Sequence, residues 1–229
     1  MKFSSFLTQG LIGQLGKDRL KPMPSNLKKK IKSHGITVFL SSHPDIRRLK
    51  RRYSASFHGN KFWASSWLIM DFLKKQGLNE GIRVLEVGCG WGLAGVYCAR
   101  MHKALVTAID IDPEVFPYLH LHAAANKVEV KTMKRGFSGL RTRDLRAYDL
   151  ILGADICFWD SMVNPLKNLI NRALSAGVSA ILLADPGRPP FQELGAHFSR
   201  KGRGEIMDWA VRRPRPIHGA LLKIGSLPS

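Results

Sequence analysis

One stretch constrains this chain more than any other: Arg83-Val84-Leu85-Glu86-Val87-Gly88-Cys89-Gly90-Trp91-Gly92-Leu93-Ala94-Gly95-Val96-Tyr97-Cys98-Ala99-Arg100. It opens as a short apolar run of strand formers. It breaks on glycines at alternate positions, Gly88, Gly90 and Gly92, and resumes as an Ala-containing helix. A strand that ends in a glycine turn and opens into a helix N-terminus is a nucleotide cradle. Glycine has no Cβ, so the backbone can approach a ligand closely. The first turn of the helix presents N–H groups with no partner inside the helix. The two non-glycine members of the turn, Cys89 and Trp91, are harder to place. Trp91 is too large to hug a ligand, so its ring is expected to point away and cover a neighbouring face.

From residue 82 onward, apolar strand-like runs alternate with helical patterns. Strands are expected over 84–87, 104–109, 128–133, 149–154 and 180–184, with helices over 93–101, 113–125, 161–174 and 191–201. Pro113 suits a first helical turn, and Asp160 or Ser161 is the expected N-cap of the helix over 161–174. Residues 205–211 and 218–224 read as a hairpin-like strand pair across Pro214 and Pro216. The strands are continuous apolar runs, as parallel strands buried on both faces should be. The pattern predicts an α/β fold: a Rossmann-like, doubly wound, mostly parallel sheet of about seven strands with a C-terminal antiparallel strand. Before it, residues 62–75 form an expected helix closed by Gly77. A basic N-terminal extension over 1–61 precedes the domain at 62–229. Within it, 21–26 reads as a turn or linker, 27–32 as a basic helix-like patch and 36–40 as a short strand. Arg47–Tyr53 reads equally as a solvated face or a substrate-facing arm.

In open α/β sheets ligands bind beyond the C-terminal ends of the strands. After the first strand come Glu86 and the glycines. After the second comes Ile109-Asp110-Ile111-Asp112-Pro113, with Asp110 lying 22 positions past Gly88. That distance suits a carboxylate accepting ribose hydroxyls. The usual dinucleotide fingerprint spaces its third glycine differently. Glu86 also stands two residues before the first glycine, where a carboxylate would repel a pyrophosphate. A ligand with an amino group and a sulfonium centre suits it better, which favours S-adenosylmethionine (SAM).

Val84–Gly92 resembles the first motif of class I SAM-dependent methyltransferases, and Ala108–Pro113 resembles their second. The resemblance covers about residues 62–225. It implies that Glu86, Gly88, Gly90, Gly92, Asp110 and Ile111 bind the cofactor. Three further segments resemble the seven-strand lysine methyltransferases, in particular the electron-transfer-flavoprotein β-subunit lysine methyltransferase group. Asp149–Phe158 matches a post-strand motif in which an acidic residue precedes a Tyr by three; Asp155 holds the acidic place and Phe158 replaces the Tyr. Ala184-Asp185-Pro186-Gly187-Arg188-Pro189-Pro190-Phe191 matches a segment after the fifth strand. Phe62–Trp67 matches an aromatic segment ahead of the first motif, with Leu68 where that family has Pro. The resemblance implies Asp155 as the catalytic residue that orients an incoming amine, and adds Trp67 and Asp155 to the cofactor set. Phe158 and Trp159 read as either a substrate wall or core packing. Asp185 and Arg188 read as either an internal ion pair or a substrate contact. No metal constellation is seen.

Net charge bears on the partner. Residues 1–62 hold 14 Lys/Arg against Asp18 and Asp45, and residues 200–229 hold 7 against Glu205 and Asp208. The middle of the chain is close to neutral. Basic ends on a neutral core point to an acidic protein substrate, with nucleic acid as the other choice. The three cysteines show no metal or disulfide spacing, and no run of 18 apolar residues suggests a membrane span. A cytoplasmic monomer follows, or an organellar-matrix one, since the Ser-rich, acid-poor, basic leader also fits a transit peptide. The expected function is methyl transfer from SAM to an amine nitrogen, a protein lysine first. An RNA methyltransferase, a small-amine N-methyltransferase and a non-catalytic SAM-binding module stand as alternatives.

Overall fold

A computed structural model describes residues 29–55, 59 and 61–228. The expectations for the leader, for 21–26 and for residues 27 and 28 lie outside the described residues. In chain order the elements are β1 (Lys30–Ser33), β2 (Ile36–Phe39), α1 (Pro44–Arg52), α2 (Ser66–Gln76), β3 (Arg83–Val87), α3 (Leu93–His102) and β4 (Leu105–Asp110). They continue with α4 (Phe116–Ala125), β5 (Lys131–Lys134), α5 (Thr142–Leu145), β6 (Leu150–Ala154), α6 (Val163–Ala176), β7 (Ala180–Asp185), α7 (Pro189–Arg200), β8 (Gly204–Val211) and β9 (Ile217–Gly225).

Seven strands form one sheet in the order β5-β4-β3-β6-β7-β9-β8. The pairs from β5 through β7 are parallel, and β9 runs antiparallel to both β7 and β8. This is the expected doubly wound sheet with its C-terminal antiparallel strand. The central strands β3, β6 and β7 are apolar and buried along nearly their whole length because helices cover both faces. One face packs on α2, α3, α4 and the β1–β2 hairpin; the other packs on α6 and α7. From β3 the chain winds outward through β4 and β5, then returns to the other side of β3 as β6. That reversal makes the switch point where a ligand crevice opens.

The segment 30–52 is built onto this sheet. His34 and Gly35 both take positive φ, at 51° and 80°, and close a two-residue hairpin between β1 and β2. Lys30–Ser33 is therefore a strand, not the expected helix-like patch. Ile31 packs on the core while Lys30 and Lys32 face out, a period of two that a partner strand stabilises. Asn126 at the end of α4 acts as a surrogate strand for β2. Its Oδ1 accepts the Thr37 N–H at 2.7 Å and its Nδ2 donates to the Thr37 carbonyl at 2.9 Å. His122, a turn earlier, accepts the Phe39 N–H through Nε2 at 3.0 Å. His122 is fully buried. Burial lowers its pKa to about 4, so the ring stays neutral and able to accept. The basic run forms α1, which starts on His43 and Pro44 and ends on Lys50, Arg51 and Arg52, in keeping with the helix dipole.

Other boundaries shift for identifiable reasons. Helix α2 begins at Ser66, not Phe62; Ser65 is its N-cap, and the free N–H there is donated to Asp155, which follows β6 (below). Neither Asp160 nor Ser161 caps the helix expected over 161–174 with a side chain. Both belong to a short 3-10 turn at Asp160–Met162, which leads into α6 without a side-chain cap.

Candidate active site

The crevice lies at the C-terminal ends of β3, β4, β6 and β7. Phe62, Trp63, Ser66, Glu86, Ala154 and the loop Gly88–Leu93 line a cleft there. The loop holds Gly88, Gly90 and Gly92 at φ 59°, 50° and 68°, a region that L side chains rarely adopt. A Cβ added at Gly90 would meet no protein atom within 4 Å, so the backbone there faces open space.

Glu86 is a strand residue of β3 and is only 3% exposed. Its Oε2 accepts the Gly95 N–H at 3.1 Å. Burial raises its pKa to about 8, against the pull of the Gly95 and Ala94 N–H groups and with a further push from the charge of Asp110. The carboxyl therefore braces the first turn of α3 from beneath the loop and is largely neutral near pH 7. That corrects the charge-based reasoning for Glu86. The Gly95 N–H at the start of α3, which a pyrophosphate would seek, is already held by this carboxyl. Gly95 has its own reason. A Cβ there would come 2.5 Å from Glu86 Oε2 and 2.9 Å from Val106 Cγ1, so only glycine lets α3 approach β3 this closely.

Asp110 ends β4 and faces the same loop. Its Oδ2 accepts the Gly90 N–H at 3.0 Å and its Oδ1 accepts the Asp112 N–H at 3.0 Å. Burial raises its pKa, opposed by these N–H bonds. A carboxylate offers about four acceptor positions, so the backbone bonds leave capacity for a ligand. Ile111 beside it is 67% exposed, a large apolar side chain on the rim. Trp91 lies as expected, with its ring in the helical layer. It stacks on Tyr118 with centroids 5.1 Å apart and donates Nε1 to the Gly59 carbonyl at 2.9 Å. Cys89, Cys98 and Cys157 are buried thiols whose pKa values burial pushes up, so they are poor nucleophiles.

The other half of the site gathers around Arg188. Asp155 follows β6 with φ 57°, unusual for a non-glycine residue and a mark of a position fixed by its surroundings. It is 3% exposed. Its Oδ1 accepts from Arg188 Nη1 at 3.0 Å and its Oδ2 accepts the Ser65 N–H at 3.2 Å. The same guanidinium nitrogen donates to Asp185 Oδ2 at 2.6 Å, and Asp185 Oδ1 accepts the Gly187 and Arg188 N–H groups at 2.9 and 2.7 Å. The Asp185–Arg188 segment is thus an internal clamp, one of the two readings its residues allowed. Above it the Arg188 guanidinium lies 5.0 Å from the Phe158 ring and 5.8 Å from the Trp63 ring. Trp63 meets Phe158 edge-on at 5.5 Å, and Phe158 continues to Trp159 at 5.8 Å. Trp159 is 49% exposed, so this aromatic row runs from the cleft wall outward.

The expectation for Trp67 is corrected. It is 1% exposed and packs 5.5 Å from His34 on the inner side of α2. Helical spacing could not tell which indole faces the ligand; Trp63, held outside the helix, lines the cleft with Phe62 and Ser66. Asp155 does not line the cleft itself; its neighbour Ala154 does. The sequence also gave no sign that Ser65 meets Asp155, a contact between positions 90 residues apart.

A family model for lysine methyltransferases matches residues 47–193. The chain belongs to that family. SAM is the methyl donor of the class I methyltransferases, and the site fits it: an open glycine backbone, a carboxylate with acceptor positions left, and an apolar rim. Among curated relatives, the electron transfer flavoprotein beta subunit lysine methyltransferase of Xenopus laevis is 27% identical over 58% of this chain and 56% of its own length. Protein-lysine N-methyltransferase EFM3 of Chaetomium thermophilum is 28% identical over 80% of this chain and 62% of its own. A ubiquinone biosynthesis O-methyltransferase of Xylella fastidiosa is 29% identical over 51% and 53%. The chain thus spans about half the length of the curated relatives it matches first. A solved human methyltransferase 10 domain containing protein superposes with a TM-score of 0.56 at 12% identity, over 79% of this chain and 93% of that one, and shares the fold. No helix among the described residues is long and apolar enough to cross a membrane.

Proposed function

We propose that this chain transfers a methyl group from SAM to the side-chain amine of a protein lysine, and that Asp155 is its central residue. The observation that supports this most is the Asp155–Arg188–Asp185 cluster beside an aromatic row, at the strand end next to the cofactor cleft. Bound SAM supplies an electrophilic methyl on a sulfonium. The protein's part is then alignment and a neutral nucleophile. In this reading Asp110 accepts the ribose hydroxyls, Ile111 covers the base, and the loop Gly88–Gly92 admits the amino acid portion.

Two buried carboxylates share one guanidinium, so the cluster keeps acceptor capacity toward an amine. Asp155 orients that amine through its remaining lone pairs, and the aromatic row excludes water around it. Phe158, where relatives of the pattern carry Tyr, supplies a ring face without a hydroxyl donor. A lysine is protonated at neutral pH. An apolar wall disfavours the ammonium form and helps the proton leave before transfer. Nucleic acid is the competing acceptor.

Labelled methyl transfer into a lysate, with separate protease and RNase arms, tests the acceptor class. Label lost to protease and kept after RNase is expected, mapping to lysine Nζ; label lost to RNase would sink the lysine reading. Asp155→Asn is expected to lower the transfer rate by ~10²-fold or more while changing the SAM dissociation constant by less than about threefold. Full activity in that variant would remove Asp155 from the mechanism.

A further inference from the structure

The basic C-terminal segment acquires a position in the fold. Strand β9 pairs with β7 so that Ala220 lies opposite Asp185, the last residue of β7. Residues 217–219 therefore run on past the C-terminal end of β7, about 10 Å at ~3.3 Å per residue. The loop between β8 and β9, Arg212-Arg213-Pro214-Arg215-Pro216, stands on the same end of the sheet as the cofactor cleft. Its base is pinned to the Arg188 clamp. At Gly219 the backbone approaches so closely that a Cβ would come 2.5 Å from the Asp185 carbonyl oxygen and 3.2 Å from Pro186 Cα. On the other side of the hairpin, Trp209 Nε1 donates to Asp71 Oδ2 at 3.0 Å and anchors β8 to α2.

Arg212, Arg213 and Arg215 are all exposed, and none forms an ion pair among the described residues. Three guanidinium groups within four residues repel one another, and two prolines stiffen the turn that presents them. The nearest acid along the hairpin, Asp208, lies back in the strand opposite Ala220. The other dense basic segment, α1, packs against α4 on the β4–β5 half of the sheet. It is therefore not positioned beside Asp155.

We propose that the β8–β9 loop is a docking site for an acidic stretch of the protein substrate that flanks the target lysine. This deepens the lysine-methyltransferase reading and rests on it. Guanidinium forks match carboxylates in bidentate geometry. The spacing sets a register. Strands β9 and β8 stand two and three positions from β6, about 10–14 Å at ~4.8 Å per step. An extended peptide with its lysine at the β6 end thus reaches the loop with residues about three to four positions away. Asp or Glu is expected at those positions.

The probe is a fluorescein-labelled peptide with one central lysine and Glu at the third to fifth positions on each side, read by anisotropy in the presence of SAM. The full chain is expected to bind it at low ionic strength and to weaken steeply with salt. R212Q/R213Q/R215Q is expected to weaken binding at least tenfold and to flatten the salt dependence, with its melting temperature as the folding control. R212K/R213K/R215K keeps the charge but not the planar fork, and is expected to recover the salt dependence and only part of the binding. Neutralising R47Q/R48Q/R51Q on α1 is expected to change the affinity less than twofold.

The proposal falls if the parent does not bind the peptide, if the loop variant binds it as tightly as the parent, or if the α1 variant loses as much. It also falls if a 12-nucleotide oligouridine binds more tightly than the peptide. Methyl transfer to the bound peptide is scored separately. Binding without transfer would count against the lysine reading and leave the docking surface standing.

Discussion

The two halves of the site hold their carboxyl groups in different ways. Beside the glycine loop, Glu86 and Asp110 are held by backbone N–H groups of Gly95, Gly90 and Asp112, with no cation attached. At the β6–β7 end, Asp155 and Asp185 share one guanidinium. The first half is assembled within some 27 residues of chain. Each contact there follows from the strand–turn–helix geometry, which aims N–H groups at whatever ends the strands. The second half joins Ser65, Asp155 and Arg188, which are far apart in sequence. Backbone donors cannot be removed by a side-chain substitution, whereas a shared guanidinium can. One substitution at Arg188 therefore removes what holds the second half, whereas the first half is sensitive at its glycines, where a Cβ is strained or meets a neighbour.

Arg188→Met breaks the comparison most sharply. It leaves two buried carboxylates without their cation, which destabilises by about 3–5 kcal/mol. Even with Arg188 present, burial holds Asp185 above its ordinary pKa. Thermal unfolding is expected to show a large drop in melting temperature, with Arg188→Lys recovering part of it. An unchanged melting temperature would mean that the clamp is not what holds the β6–β7 end together.

Asp110→Ala is expected to act on the ligand more than on the fold. Loss of hydrogen bonds to a charged acceptor is worth about 1.5–3 kcal/mol. The SAM dissociation constant should rise by roughly 10- to 100-fold in calorimetry, with a smaller change in rate at saturating SAM. Equal loss of affinity and of saturated rate would argue that Asp110 arranges the catalytic side as well.

Glu86→Gln is the finest test. Glutamine keeps an acceptor for the Gly95 N–H but does not ionise. In the parent the folded-state pKa is about 8, against an ordinary value of 4.5. Between these values the unfolded chain binds fewer protons than the folded one, so stability falls as pH rises through that window. Urea unfolding at about pH 5.5 and pH 8 is expected to show that decline in the parent and a flatter profile in the variant. A parent already flat across the window would mean that Glu86 is solvated and ionised, contrary to its buried place under the loop.

Much of this molecule was legible before any coordinates. The parallel core, the glycine turn, Asp110 at the end of β4 and the antiparallel β9 all follow from local signals: period, glycine spacing and apolar runs. The misreadings share a cause. Lys30–Ser33 was ambiguous because four residues show a period of two only to a partner strand, and His34-Gly35 is a less obvious hairpin turn than Asn-Gly. Trp67 and Trp63 lie four positions apart, so helical spacing put them on one face. They do not share one, because α2 begins at Ser66 and Trp63 lies outside it. Glu86 read as a charge because sequence carries no burial; beneath the loop it is a neutral brace.

By itself, then, the sequence determined the sheet, the cofactor-side loop and the acidic residues that end its strands, because those depend on neighbours along the chain. Only the tertiary structure decided what these acids do. It joined Asp155 to Asp185 through Arg188, turned Trp67 into the core, and carried three arginines of the β8–β9 loop to the same end of the sheet as the cleft. The physical reason is that burial and ion pairing depend on which segments meet across the sheet. That is set by strand order and register, which no local stretch of sequence contains.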